Sequence, residues 1–288
     1  AEARRVVGLV EDVDDRLWCA FENRVEWHDA DGVFQLSWQG QDERGSRTLR
    51  DLATGPDGTL WISSSTKLWF VLPGTHEALP FPDERTNGAW QVAVDSVGTA
   101  WVRTTTGLIG CRVDGSTIPT ALPDDVAPAN GVTTFGGRIW AWNGTGLWQA
   151  PAGETPPRWR AMPGAPPRIR RIVCAEGKIL AVTEESVQIA AEDAPETWRT
   201  VHAGDELQSV SFVTYCAGAF WFASHTRMWR LALNDGSLMP VRVFLNGAPP
   251  ADKSIYALEG DRQGLLWIAT QSGICRAGVV PGVDNLLV

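Results

Sequence analysis

The stretch DRQGLLWIATQSGICR, residues 261–276, reads as an acidic turn, a glycine, an apolar strand centred on Trp267, a second turn at Gly273 and another short strand. The same neighbourhood recurs upstream as FWFASHTRMWRL around Trp221, KILAVTEESVQI around Leu180 and RIWAWNGTGLWQA around Trp140. It recurs again as TAWVRTTTGLIGC at Trp101, TLWISSSTKLWFV at Trp61 and RLWCAFENRVEWH at Trp18. Seven anchors thus lie 39 to 46 residues apart. A period of this length marks repeated supersecondary units that bury their apolar faces only by stacking on one another.

Each copy opens with an apolar pair that encloses two other residues. Examples are Leu49 and Leu52 around Arg50 and Asp51, Ala89 and Val92 around Trp90 and Gln91, and Ile169 and Ile172 around Arg170 and Arg171. In copies four and six the pattern predicts Val132 and Phe135 around Thr133 and Thr134, and Leu207 and Val210 around Gln208 and Ser209. A turn rich in Asp and Gly follows (DVDD, GPDG, DSVG, DRQG), because those residues supply the positive-φ or side-chain-capped positions of tight reversals. Then come the anchor strand, a turn, and a strand whose large residue lies eight positions beyond the anchor, as in Trp69, Ile109, Trp148 and Trp229. Trp27 stands at nearly the same offset in copy one, and Cys275 takes the place in copy seven.

These segments are short, rich in Val, Ile, Trp and Phe, and separated by turn signals every 8 to 12 residues, which favours antiparallel strands over helices. A fourth strand per copy is predicted in VFQLSWQ, RWRAMPG, TWRTVHA and MPVRVFL. Four strands in about 40 residues make one blade of a β-propeller. The expectation is an all-β, seven-bladed β-propeller forming one domain over residues 1–288, with blades at 4–46, 47–86, 87–129, 130–166, 167–204, 205–252 and 253–288. The anchor indoles are expected between blades, and the tail VDNLLV, residues 283–288, as the outer strand of the last blade.

A net charge of −9 and a pI near 5.0 argue against nucleic acid as a partner. No run of 18 or more apolar residues is present, so no membrane-inserting helix is expected. The five cysteines form no CxxC pair and fall in or near predicted strands, where they act as small hydrophobes, a usage that leans toward a reducing, cytoplasmic compartment. No GxSxG, HExxH or Gly-rich phosphate loop occurs, so no cofactor, metal or catalytic residue is expected from motifs.

DRQGLLWIATQSGICR, GPDGTLWISSSTKLW and DSVGTAWVRTTTGLIGC resemble the two-component regulator propeller repeat, roughly D-x-x-G-x-[LI]-W-[IV]-[GA]-T-x-x-G-[LI]-x-R. That resemblance implies a sensor or ligand-binding propeller, often periplasmic or otherwise outside the membrane. GAFWFASHTRMWRL is similar to the repeats of streptogramin B lyases, seven-bladed propellers with metal-dependent lyase chemistry. The second resemblance implies an alternative function as such a lyase, with His225 as the catalytic candidate.

In a propeller the first strand of each blade lines the axis, and ligands meet the mouth formed by its start and the adjoining loops. The six-residue windows around the seven apolar pairs hold eight basic residues in 42 positions, against 25 in the 288 of the chain. An acidic protein therefore gathers positive charge at the expected mouth. The candidate ligand-binding residues are Arg5, Arg47, Arg50, Arg170, Arg171 and Lys253, with Trp90, Gln91 and Tyr256 beside them. Arginine suits planar, bidentate acceptors such as carboxylate and phosphate. The expected function is a non-catalytic binding or sensor propeller for a small anionic ligand or a partner protein, with a pure protein-interaction scaffold as a further alternative.

Overall fold

The computed structural model describes residues 6–22, 24–29, 32–35, 49–120, 122, 129–232, 238–244, 254–270, 273–278 and 285–287. Strands form seven sheets in chain order, antiparallel except for one parallel pairing at the edge of sheet six. Sheet one comprises β1 to β4 (Val6–Glu11, Leu17–Phe21, Val25–Asp29, Gly32–Gln35), and sheet two β5 to β8 (Leu49–Thr54, Leu60–Ser64, Leu68–Val71, Leu79–Pro80). Sheet three holds β9 to β12 (Gln91–Val94, Ala100–Arg103, Leu108–Cys111, Thr117–Pro119), and sheet four β13 to β16 (Gly131–Phe135, Arg138–Trp142, Leu147–Pro151, Arg160–Ala161). Sheet five is β17 to β20 (Arg171–Ala175, Lys178–Val182, Ser186–Ala191, Ala194–Ala203), and sheet six β21 to β24 (Phe212–Cys216, Ala219–Ala223, Met228–Ala232, Leu238–Phe244). Sheet seven has β25 to β27 (Ile255–Gly260, Leu265–Thr270, Gly273–Gly278). The fold is an all-β, seven-bladed β-propeller, as the repeat predicts, and among the described residues no α-helix occurs.

Two compact units divide the chain, one of residues 10–170 and one of residues 1–9 with 171–288. In the first, Trp61 packs with Phe70 and Phe81 of its own repeat and with Val92, Ala100 and Val102 of sheet three. Trp101 likewise joins Val132, Ile139 and Ala141 of sheet four. In the second, Trp221 packs with Ile255, Leu258 and Ile268 of sheet seven. The anchors are therefore inter-blade glue, and each indole withdraws apolar surface from water at roughly 25 cal/mol per Å2. Trp267 is the half-buried exception.

The six-residue spacing from Asp to Trp in three copies of the repeat has a second cause besides the turn. Trp18, Trp101 and Trp267 each donate Nε1–H to the aspartate six residues earlier, Asp12, Asp95 and Asp261, at 2.7, 2.8 and 3.0 Å. Copy two has Gly55 at that position, and Trp61 Nε1 is buried with no hydrogen-bond partner among the described residues. In copy six Trp221 Nε1 donates to the Cys216 carbonyl at 3.1 Å instead.

Four sequence expectations are corrected. Trp27 lies directly opposite Trp18, and Glu26 takes the place that Trp69 holds in sheet two, because a one-residue difference in a strand reverses the face. In sheet four Thr133 pairs with Trp140 as Ala93 pairs with Trp101, so the apolar pair is Ala129 and Val132, enclosing Asn130 and Gly131. In sheet six Leu207 to Ser209 belong to a 3-10 turn, Asp205–Ser209, and the inner strand starts at Phe212. That turn displaces the strand by three residues while still burying Leu207 and Val210. Finally β28 (Asn285–Leu287) pairs in parallel with β24 of sheet six and does not complete sheet seven.

Candidate functional site

With the registers corrected, one position recurs at the start of each inner strand: Arg50, Trp90, Asn130, Arg170, Ser211 and Tyr256 in sheets two to seven. Two of these sit on β-bulges. Leu49 pairs with Ser64 and Asp51 with Ser63, which leaves Arg50 as an extra residue; Ile255 and Ala257 pair with Thr270 and Ala269 around Tyr256 in the same way. A bulge interrupts the regular alternation of side chains and re-aims the residue it carries.

In the unit of residues 10–170 the bulge places Arg50 on the equivalent residue of the next sheet. The guanidinium carbon of Arg50 lies 4.0 Å from the ring centroid of Trp90, and that of Arg103 lies 5.7 Å from it. Trp90 is 42 % exposed, whereas the anchors Trp61 and Trp101 are fully buried. Its backbone N–H is held by the Arg103 carbonyl at 2.8 Å. Arg103 in turn donates Nε–H to the Ala129 carbonyl at 2.7 Å, a bond that fixes its head group. Arg50 Nε is buried and has no hydrogen-bond partner among the described residues. Exposed Asn130 adjoins this group in chain and in repeat position.

The residues beside these serve as ties between blades. Asp51 Oδ2 accepts from Val92 N–H at 3.2 Å, and Gln91 Oε1 accepts from Val132 N–H at 3.2 Å. Thr54 and Thr134 donate their hydroxyls to the carbonyls of Glu11 and Val94, at 3.1 and 2.6 Å. In sheets two and three the two enclosed positions thus divide the labour: Arg50 and Trp90 meet one another, while Asp51 and Gln91 reach the next sheet.

Of the residues expected at the mouth, the structure brings Arg50 and Trp90 together and gives Gln91 its bond to sheet four. Arg170 is half-buried and Arg171 exposed, and both take part in further interactions. Tyr256, in the other unit, packs edge-on against His225 with centroids 6.2 Å apart. Arg5, Arg47 and Lys253 lie outside the described residues. Arg103 was not expected. Its only sequence signal is a charge two residues after an anchor, where other copies carry Ala20, Ser63, Trp142, Val182, Ala223 and Ala269.

His225 is an exposed turn residue whose Nδ1 lies 3.1 Å from the Ile255 carbonyl, while its own carbonyl accepts from Ile255 N–H at 2.8 Å. It ties the turn of sheet six to sheet seven. Among the described residues no group of three or more His, Cys, Asp or Glu side chains is arranged to hold a metal ion, and no helix is long and apolar enough to cross a membrane.

One repeat matches a family model. Residues 249–272 match the model described as two component regulator propeller. No curated protein matches the sequence. Among solved structures, a catalytically inactive virginiamycin B lyase from Staphylococcus aureus, crystallised with quinupristin, is similar at a TM-score of 0.73 and 13 % identity, over 96 % of this chain and 94 % of that one. The WD40 β-propeller domain of Doa1 aligns at 0.70 and 12 %, over 95 % and 92 %. The extracellular domain of the putative hybrid two component system BT3049 from B. thetaiotaomicron aligns at 0.66 and 18 %, over 94 % of this chain but 39 % of that one. At these identities the likeness is one of fold, and a fold of this kind carries unrelated functions.

Proposed function

We propose that this protein is a non-catalytic binding or sensor propeller that recognises a small anionic ligand at Arg50, Trp90 and Arg103. The observation that carries this reading is the convergence of two guanidinium groups on one exposed indole. Two like charges around one ring repel each other, and the indole's negative face offsets only about 0.5–1 kcal/mol of that at an exposed site. An anion bound between them relieves the repulsion and accepts charge-assisted hydrogen bonds from the two guanidinium groups. The match of one repeat to the two component regulator propeller model, and the fold shared with the extracellular domain of a putative hybrid two component system, support a sensing role.

The test is calorimetric titration of the protein with phosphate, sulfate, acetate and benzoate at two salt concentrations. Arg50→Gln and Arg103→Gln are each expected to weaken the best anion at least tenfold, about 1.4 kcal/mol, because each removes a charge-assisted contact. Affinity and salt dependence unchanged in the double variant would overturn the proposal.

A further inference from the structure

We infer that the opposite end of the strands, in the unit of residues 10–170, is a docking surface for a cationic amphipathic segment of a partner protein, one that carries aliphatic side chains among Lys or Arg. This surface is separate from the anion site and does not depend on it.

Antiparallel pairing puts two turns of each sheet at the same end. In sheet three Ala100 pairs with both Val94 and Cys111, so turns 95–99 and 112–116 lie side by side beyond that level. In sheet two Leu60 pairs with Thr54 and Val71, which does the same for turns 55–59 and 72–78. Arg50 and Trp90 stand at the other ends of β5 and β9. Glycines then bring the turns of neighbouring sheets together. A Cβ built on Gly58 would lie 3.1 Å from a methyl carbon of Val13, in turn 12–16 of sheet one, and 3.7 Å from Pro73 Cγ. One built on Gly55 would lie 3.4 Å from Val94 Cγ1 of sheet three, and one on Gly153 of sheet four 3.7 Å from Val97 Cγ1. The turns of four sheets therefore form one continuous row.

This row carries four of the six large apolar side chains that are exposed among the described residues: Val13, Leu72, Val97 and Val113. Val97 is 61 % exposed and Val13 45 %. A β-branched residue contributes nothing to a tight turn, where Gly, Asn, Asp and Ser supply the required conformations, so the fold gives no reason for three valines there. Exposed apolar residues scattered singly are ordinary, whereas a contiguous row of them marks an interaction surface. Charge selects the partner. Asp14, Asp15, Asp57 and Asp114 are exposed in the same turns, whose basic residues are Arg16 and Arg112. Arg16 is already bonded to Asp12 and Asp14, and Arg112 donates to Thr155 Oγ1 at 3.3 Å. Positive groups on a partner are thus attracted to the rim of the apolar row, and an anionic lipid surface is repelled. A second copy presenting the same face would set acids against acids.

The test is fluorescence anisotropy with three labelled octapeptides, alternating leucine with lysine, serine with lysine, and leucine with glutamate. Each is titrated with the protein, with the double variant Val13→Ser and Val97→Ser, and with Arg50→Gln, thermal midpoints confirming that each variant is folded. The leucine–lysine peptide is expected to bind about tenfold more tightly than either control. The double serine variant should weaken it about tenfold, because two exposed valines no longer lose apolar surface to the peptide. Arg50→Gln should bind it as the parent does, which separates this surface from the anion site. Equal binding of the leucine–lysine and serine–lysine peptides, unchanged affinity in the double serine variant, or no binding of the leucine–lysine peptide would each overturn the proposal. Self-association in sedimentation equilibrium that the double serine variant abolishes would assign the surface to a second copy of this chain and overturn it as well.

Discussion

The Asp95 carboxylate serves three donors at once: Oδ1 accepts from Val97 N–H at 3.0 Å and Thr99 N–H at 2.9 Å, and Oδ2 from Trp101 Nε1–H at 2.8 Å. The turn and the indole are thus bound to one another through a side chain that is itself buried. Asp95→Ala strands all three donors, and with about 1–3 kcal/mol for a buried unsatisfied group the expected loss is about 3 kcal/mol. Asp57→Ala, in the corresponding turn of sheet two, removes two bonds from buried Thr59 and none from an indole, so it should cost about 1–2 kcal/mol, less than Asp95→Ala. Urea unfolding midpoints of the two variants check the difference; equal losses would mean that the indole bond contributes nothing.

Elements meet through glycine where the backbone of one sheet touches another. A Cβ built on Gly260 of β25 would lie 2.3 Å from the Tyr215 carbonyl oxygen and 2.7 Å from Cys216 Cβ, at the end of β21. Sheets six and seven are therefore in backbone contact, and Gly260 N–H donates to Thr214 Oγ1 at 3.1 Å across the same seam. Gly131 of β13 has a different neighbour: its Cβ would lie 2.1 Å from Cζ2 of Trp142, an indole that fills the place where Asp51 and Gln91 send side chains to the next sheet. Gly260→Ala pushes on backbone and Gly131→Ala on a fully buried ring, so both should destabilise by about 1–3 kcal/mol, the usual cost of overpacking. Thermal unfolding that shows either variant as stable as the parent would contradict these contacts.

Across the whole molecule the five cysteines are free thiols, and all of them titrate above the ordinary thiol range. Burial is the main cause in each case. Nearby carboxylates add to it: Glu26 for Cys19, Asp83 for Cys111, Glu192 for Cys174 and Asp261 for Cys216. Cys216 and Cys275 are each pushed up to about 11. A folded-state value above the unfolded one means that this stabilisation is complete below about pH 8.5 and is lost as the pH rises, since unfolding then releases protons. The melting temperature should accordingly fall between pH 9 and pH 11. The thiolate is the reactive form, so iodoacetamide at pH 8 should label the native protein far more slowly than the urea-unfolded chain. Rapid labelling of all five cysteines at pH 8 would contradict their burial.

How far the sequence reaches can be seen at particular residues. The period of the anchors, the Asp and Gly turns and the alternation of apolar residues determined seven blades, because inter-blade packing requires a large flat residue at one recurring strand position. Arg50 and Trp90 were legible as neighbours in repeat position. Their stacking depends on a bulge at Arg50, and backbone pairing leaves no mark in residue type that a run of LRDL would reveal. Trp27 and Glu26 exchanged faces, and the inner strands of sheets four and six shifted by three residues, because side-chain direction depends on register at single-residue precision. Arg103 joined the site from another strand through its bond to Ala129, a contact between residues 26 positions apart. Repetition, a local and cumulative property, was written in the chain by itself; the meeting of Arg50, Trp90 and Arg103 was decided only by tertiary structure, since it depends on how one sheet is set against the next.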